Sequence, residues 1–529
     1  MREPFNSAIN KLNNRLGKDL YWMFSCPSSR NPYISECFYK FCCLNLLLQI
    51  DLKDISIIYV HGSLMKTEVI RLVRNENEKC KVIDLSVGIV SIVKNKFFNI
   101  KMIINSSIKI FIPLIVAKFY RRTNHKKIID GVLLDTFIVP NHIDKDRYFT
   151  SLIDNLSIDD AKRCFFVPQY TAYSSLKELI NLNIDARKSE RQFIFKEDYV
   201  NIFELLLKAF AIIFHRFNLP SINVNGIELT NLFKEDLMHK RSFFSELSAW
   251  NNYLFFFKLH KKNIQLKTII SWFENQQVDK GWNKGANTFY ANTKLKGYKG
   301  AVDCDLYLCF QPIESEVKNG YTPKEIGVLG YASLKTKEYA KVGLTTFIAP
   351  AFRYQNFLVD YKNIINPTQT KVLICLPIGD HSALNILNMT IPVLNESKIK
   401  VLVKKHPVGQ SIKWLLTHSQ VSMSDNFEWV DGDFHALLKE STIFVGSSSS
   451  TCFDAVLMAK NVIIIASTGF SYNYIPEEIN SKNYNWVYSQ EDFKLSLYKA
   501  MATNKEPSRY KLEDYFSPIT PESCKKLIT

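Results

Sequence analysis

The chain has 529 residues, 47% hydrophobic and 22% charged, which are globular values and exclude a mostly disordered, collagen-like or low-complexity protein. At about 100–200 residues per domain, that length is read as two large domains. Lys and Arg number 67 against 51 Asp and Glu, a net charge of +16, so an anionic partner is expected among nucleic acid, membrane surface and phosphate-bearing substrate.

The 11 cysteines are scattered, with no CxxC and no His/Cys group at zinc spacing. Free thiols in a reducing cytoplasm are expected. Residues 1–17 are polar and lack the apolar stretch of a secretory leader, so none is expected there.

In chain order, residues 55–60 (ISIIYV) form a β-rich run ending at His61-Gly62-Ser63. No acidic residue lies between Asp84 and Asp130, while nine basic ones do: Lys94, Lys96, Lys101, Lys109, Lys118, Arg121, Arg122, Lys126 and Lys127. Apolar runs lie among them. Lys and Asn interrupt the stretch too often for a membrane span, and an interfacial segment drawn to anionic lipid fits better. The competing reading is a core helix with a basic outer face.

Residues 128–134 lead into Asp135-Thr136-Phe137, residues 165–167 end at Pro168, and residues 193–195 run into Glu197 and Asp198. Then comes Trp272-Phe273-Glu274-Asn275-Gln276, a carboxylate and two amides beside large aromatics, a make-up suited to sugar recognition. Glycosyl transfer needs one base, or a nucleophile with an acid/base if configuration is retained. Glu274 and Asp135 are the candidate catalytic carboxylates.

After residue 350 the rhythm repeats. Residues 371–376 (KVLICL) end at Pro377, residues 398–403 (KIKVLV) run into Lys404-Lys405-His406-Pro407, and residues 442–445 (TIFV) run into Gly446 and Ser447-Ser448-Ser449-Ser450-Thr451. Short apolar runs separated by helical stretches predict parallel sheets of βαβ units. The expected fold is α/β, two Rossmann-like domains facing a cleft, over residues 1–350 and 351–529. Ligands then sit beyond the C-terminal strand ends.

The serine loop opens a helix, where free N–H groups and the dipole attract an anion. A helix cap needs one hydroxyl, and five stand in a row. His406 and Lys404 can donate to a phosphate, and Pro407 fixes their turn. Neighbouring strand ends in one sheet are expected to bring both loops to the same phosphate.

These two strings resemble the His-Pro and Ser/Thr motifs of bacterial glycosyltransferases of the two-Rossmann type called GT-B. The likeness is nearest to CMP-sugar users such as capsule-type Kdo transferases, sialyltransferases and polysialyltransferases. Glycerol-phosphate polymerases of the teichoic-acid type share a similar pair. The resemblance implies nucleotide-phosphate contact by His406 and by Ser448, Ser449, Ser450 or Thr451.

The N-terminal half is similar to surface-polysaccharide biosynthesis proteins through Ser28-Ser29-Arg30-Asn31, Asp135-Thr136-Phe137, Asp146-Arg147-Tyr148-Phe149, Phe166-Val167-Pro168 and Trp272-Phe273-Glu274-Asn275-Gln276. The acidic Asp/Glu-Asp/Glu-Gly motif of the sialyltransferases has no clear copy. Asp431-Gly432-Asp433 is the nearest string, and it lies in the other half.

The expectation is therefore a metal-independent, cofactor-free glycosyltransferase. It takes a nucleotide-sugar donor, CMP-linked, and a glycan or lipid-linked glycan acceptor of capsule or O-antigen type. It is cytoplasmic and peripheral on the anionic inner face of the membrane, without nucleic acid. Asp303-Cys304-Asp305 fits a metal-holding pattern by letters only. The alternatives are a CDP-polyol phosphotransferase of teichoic-acid type and a non-enzymatic membrane- or nucleic-acid-binding protein.

Overall fold

The structure is a computed structural model. It describes all residues except 75–76, 87–88, 121–127, 141, 145–147, 172, 303, 305–306, 335–336, 362–368, 408, 468–471, 477, 480–481, 483 and 503–509; the side chains of 89–95, 337–338 and 360–361 are also outside the description. Arg121, Arg122, Lys126, Lys127, Asp146, Arg147, Asp303 and Asp305 thus lie outside the described residues.

Two small sheets occur in the first half. Strands β1 (Ile57–Val60) and β2 (Lys81–Asp84) pair in parallel. Strands β5 (Asn223–Val224) and β6 (Ile227–Glu228) form a short hairpin.

The first large sheet holds β3 (Gly131–Ile138), β4 (Cys164–Tyr170), β7 (Leu266–Trp272), β8 (Lys294–Tyr298), β9 (Glu325–Val328) and β10 (Thr345–Ile348). Its order is β10-β9-β8-β7-β3-β4, all parallel. β3 shows why: seven of its eight residues are buried, as in a strand covered on both faces. Chain direction across the sheet reverses between β3 and β7, the flavodoxin-like pattern.

The second large sheet holds β11 (Lys371–Cys375), β12 (Lys400–Lys404), β13 (Phe427–Trp429), β14 (Ile443–Gly446), β15 (Asn461–Ile465) and β16 (Tyr484–Val487). Its order is β13-β12-β11-β14-β15-β16, again all parallel. That is the Rossmann order, with the reversal between β11 and β14. The architecture is two Rossmann-like α/β units of GT-B type.

The first sheet ends at Ile348 and the second begins at Lys371. The chain end then returns to the first unit. The Ser517 N–H donates to Leu329 O at 2.6 Å, and Lys296 Nζ donates to Lys526 O at 2.7 Å. Tyr354 stacks on Phe516 at 3.9 Å. One buried apolar cluster holds Leu134 and Ile270 of the first sheet together with Leu373 and Phe444 of the second.

The helix behind β7 packs closely. A Cβ on Gly281, in the helix Gln277–Phe289, would lie 2.1 Å from the Ala249 carbonyl oxygen of the helix Phe243–Lys261. Only glycine admits that approach. It fixes the helix start, and with it the loop carrying Glu274.

Candidate functional site

A cleft of about 1320 Å³ lies between the two units. The second sheet turns its reversal point towards it through the loops after β11 and β14, and the first sheet turns its loops after β7 and β8, so strand ends of the kind where open α/β sheets bind ligands form opposing walls.

Glu274 stands two residues past the end of β7. Asn275 has φ 55, a left-handed conformation that Asn tolerates, and it turns the chain into the helix Gln277–Phe289. Asp279 fixes this turn: the N–H groups of Glu274 and Gln276 donate to its Oδ2 at 2.9 and 3.0 Å. Burial pushes the Asp279 carboxyl well above the usual range, and the charge of Glu274 adds to that.

The Glu274 carboxylate is oriented from both sides. The Trp272 indole N–H donates to Oε1 at 3.0 Å, and Gln276 Nε2 donates to Oε2 at 2.7 Å. Each oxygen keeps a lone pair, and the residue lines the cleft half-buried. A Cβ at Gly300 would lie 2.1 Å from the Trp272 ring, so glycine there leaves room for the indole.

Behind the loop sits a fully buried ion cluster. Glu316 Oε2 lies 2.9 Å from Arg30 Nη2 and Oε1 lies 2.8 Å from Lys280 Nζ. Asn275 Nδ2 also donates to Glu316 Oε2 at 2.9 Å. Burial pushes the Glu316 carboxyl up, but Arg30 and Lys280 outweigh it and hold it below the usual range. Arg30 further donates to the carbonyls of Leu308 and Gln311 at 2.9 and 2.8 Å. Two sequence features thus meet here, the Ser-Ser-Arg-Asn string and the Trp272–Gln276 segment, joined by Glu316 and the carbonyls of Leu308 and Gln311.

The opposite wall holds Pro377, Ile378, Gly379, His381 and Ser382 after β11, His406 after β12, and Ser447, Ser448, Ser449 and Ser450 after β14. Ser449 caps the helix Ser450–Leu457 by accepting from Thr451 N. Ser448 Oγ accepts from Tyr472 N at 2.7 Å, tying another cleft segment to the serine loop. The helix Asp380–Asn395 also begins at the cleft, with Gly379 as its cap residue. Two helix N-termini and several hydroxyls therefore face one space, a setting suited to an anion.

Aromatic side chains bridge the units at the cleft. Tyr33 lies 5.1 Å from Tyr307 and 5.2 Å from Tyr472, and Tyr307 packs edge-on to Phe310 at 4.4 Å. Flat faces of this kind suit bases and sugar rings.

The expected residues divide. Glu274, His406, Ser448, Ser449 and Ser450 share the cleft. Thr451 sits inside the helix start, with Oγ1 3.0 Å from Ser449 Oγ. Lys404 donates to the Gly432 carbonyl at 2.8 Å, and Pro407 is exposed; neither lines the cleft. Asp135 does not end its strand: it is the fifth of eight residues in β3. Gln169 Nε2 donates to both of its oxygens, at 2.8 and 2.7 Å. Burial pushes its carboxyl up to about 6, against the pull of Lys196 and Gln169. Glu197 and Asp198 face Arg187, with Asp198 Oδ1 at 2.9 Å.

The loops after β12 and β14 are not on adjacent strands, as the sequence suggested, because β11 runs between them. The loop after β11 is one of the strand ends expected to face ligand, but none of its residues is among the candidates. Its signal was Pro377-Ile378-Gly379 after a buried run, a turn into a helix at the reversal point. Among the described residues, no group of three or more His, Cys, Asp or Glu is placed to hold a metal ion.

No family model and no curated protein matches the chain. Among solved structures, it is similar to S. aureus MnaA in a co-structure with UDP, at 11% identity over 76% of this chain and 95% of that one, TM-score 0.42. It is similar to UDP-GlcNAc 2-epimerase from Neisseria meningitidis bound to UDP-GlcNAc, at 12% identity over 75% and 98%, TM-score 0.39. The calicheamicin glycosyltransferase CalG4 is similar at 8% identity over 75% and 93%, TM-score 0.39. These likenesses are of chain fold, and the site rests on its own geometry.

Proposed function

We propose that the protein is a glycosyltransferase moving a sugar from a nucleotide-activated donor to a glycan or lipid-linked glycan acceptor of a cell-surface polysaccharide. The observation that carries this reading is one cleft holding an oriented carboxylate, Glu274, opposite two helix N-termini, His406 and the serine loop. A CMP-linked donor is part of the proposal, on the resemblance of the two C-terminal strings.

The donor phosphate sits against Gly379–Ser382 and Ser448–Ser450, within reach of His406. Glu274 takes the proton of the acceptor hydroxyl as its oxygen attacks the anomeric carbon. The bond from that carbon to the phosphate oxygen breaks, and the nucleotide leaves with the electron pair. Helix N–H groups and the serine hydroxyls offset the charge that develops there. Of the two carboxylates lining the cleft, Glu36 is paired with Lys40 and Arg241. Glu274 as the single base favours single displacement with inversion, since Asp135 is held within β3.

A thermal-shift series with CMP, CDP, UDP, GDP, their sugars and CDP-polyols tests the reading. One nucleotide sugar should raise the melting point by mass action, and His406→Ala should lose the shift. A shift with a CDP-polyol alone would replace glycosyl transfer by polyol-phosphate transfer. No shift with any nucleotide would remove the donor site.

A further inference from the structure

The first unit carries an apolar surface that the cleft does not use. Phe203, Leu207, Phe210 and Phe214 recur at helical spacing along the helix Ile202–Phe214 and are 59–73% exposed. Spacings of four, three and four place them on one face. The other face is buried through Leu205, Ala209 and Ile212. Glu204, the acidic side chain of this helix, is paired with Lys258 at 2.5 Å.

A second helix has the same inverted build. Ile89–Tyr120 packs inward through Ser106, Ile110, Leu114 and Ala117, while Phe97, Ile100, Ile104, Ile115 and Phe119 are exposed. Its part Lys96–Tyr120 is long and apolar enough to cross a membrane by length and composition. The packed inner face instead lays it along the surface. Lys96, Lys101 and Lys118 are exposed on it, and no acidic residue occurs between Asp84 and Asp130.

The two helices meet at residues 238–240. Asn99 Nδ2 donates to the Met238 carbonyl at 3.5 Å, and Lys240 Nζ donates to the Ile212 carbonyl at 3.2 Å. Met238 itself is largely exposed. Residues 238–240 thus tie the two helices together, with the exposed Met238 at their junction. Next in sequence, Arg241 pairs with Glu36, which lines the cleft.

We propose that this composite face, Phe203–Phe214 with Phe97–Ile104 and Met238, docks the protein on an anionic lipid bilayer. Bulky apolar side chains beside lysines, with the acid-free stretch among them, match acyl chains beneath anionic headgroups. A second copy of the chain offers the same positive charge, so the face repels its own kind. Docked this way, the cleft end at Glu36 lies near the membrane, where a lipid-linked acceptor resides. That last point rests on the proposed function; the docking does not.

The test is co-sedimentation of the full chain with phosphatidylcholine vesicles, with and without phosphatidylglycerol. Wild type should bind the anionic vesicles, more weakly as salt rises. Leu207→Gln/Phe210→Gln/Phe214→Gln should lower partition at least about tenfold, with an unchanged thermal midpoint because the positions are exposed. Lys96→Gln and Lys101→Gln should each lower it about fivefold at low salt. Failure of wild type to bind anionic vesicles, or wild-type binding by the triple variant, would overturn the proposal. So would a wild-type dimer in solution that the triple variant renders monomeric, since the face would then belong to a second copy. Vesicle binding is read without donor or turnover, so this outcome is independent of the catalytic reading.

Discussion

The Trp272 indole N–H and Glu274 Oε1 are 3.0 Å apart. The indole is held by the first sheet and the carboxylate by the turn that follows it. The strand thereby aims the side chain two residues beyond its own end. Gln276 holds the other oxygen at 2.7 Å. A carboxylate held by two neutral donors and keeping free lone pairs is directed into the cleft, which is what proton abstraction needs.

Glu274→Gln should lower turnover about 10²–10⁴-fold, the range for loss of a general base. The amide keeps the volume, and the donor binds on the opposite wall, so nucleotide affinity should change little. Steady-state rates measured beside donor affinity check this. Turnover within a few-fold of wild type would remove Glu274 from the chemistry.

His406→Ala should cost at least about 10²-fold in turnover through a lost charge-assisted contact to the leaving phosphate. The residue follows β12 in a turn half-open to solvent, so the circular-dichroism spectrum and melting point should hold. A folded variant with near-normal rate would assign the phosphate to the two helix N-termini alone.

Ser448→Ala, Ser449→Ala and Ser450→Ala in combination should weaken nucleotide binding while the second unit stays folded. Losing the Ser449 cap costs about 1 kcal/mol. Losing the Ser448 oxygen removes an acceptor of the Tyr472 N–H, so the aromatic bridge at Tyr33 should loosen as well. Calorimetric titration with nucleotide reads the first effect. Unaltered affinity in the triple variant would make the hydroxyls purely structural.

The parallel strands were legible because each is an apolar run with helix-forming sequence between. The strand order was not. Ile374 and Val445 read alike as buried β residues, and nothing local says that β11 separates β12 from β14. Lys404 reads together with His406 because both stand at one strand end, but Lys404 is the last residue of β12 and turns to the Gly432 carbonyl. Asp135 was misplaced for a similar reason. An acid at the close of an apolar run reads as a strand end, whereas here Gln169 on the neighbouring strand satisfies it inside the sheet. The place of Glu274 in the cleft was legible because its aromatic and amide neighbours are themselves the groups that hold it. The partners of Glu316 come from positions 30 and 280, and only the fold brings them together.

Glu316→Gln should destabilise the first unit by about 3–5 kcal/mol, since it leaves Arg30 and Lys280 buried without their counter-charge. Asn275 Nδ2 also loses its charged acceptor, so the turn carrying Glu274 should shift. Urea melts give the stability. Donor affinity should persist in the folded fraction, while turnover should fall with loss of position. A variant as stable as wild type would mean that the cluster relaxes by admitting water.

Asp135 supplies a pH test that separates structure from catalysis. Its folded carboxyl stands at about 6, above an ordinary Asp, because burial disfavours the charge. A raised carboxyl binds its proton more tightly in the native state. Its contribution to stability is therefore full at low pH and declines as pH rises from about 4 through about 6. Over that window wild type should lose on the order of 1–3 kcal/mol relative to Asp135→Asn, which carries no charge at any pH. The amide still offers one oxygen to Gln169. Urea melts of both proteins at the two ends of the window read the difference directly. Turnover of Asp135→Asn should stay within a few-fold of wild type, as the residue lies inside β3 and does not line the cleft. Loss of turnover with donor affinity intact would return Asp135 to the chemistry and require a second carboxylate in the displacement.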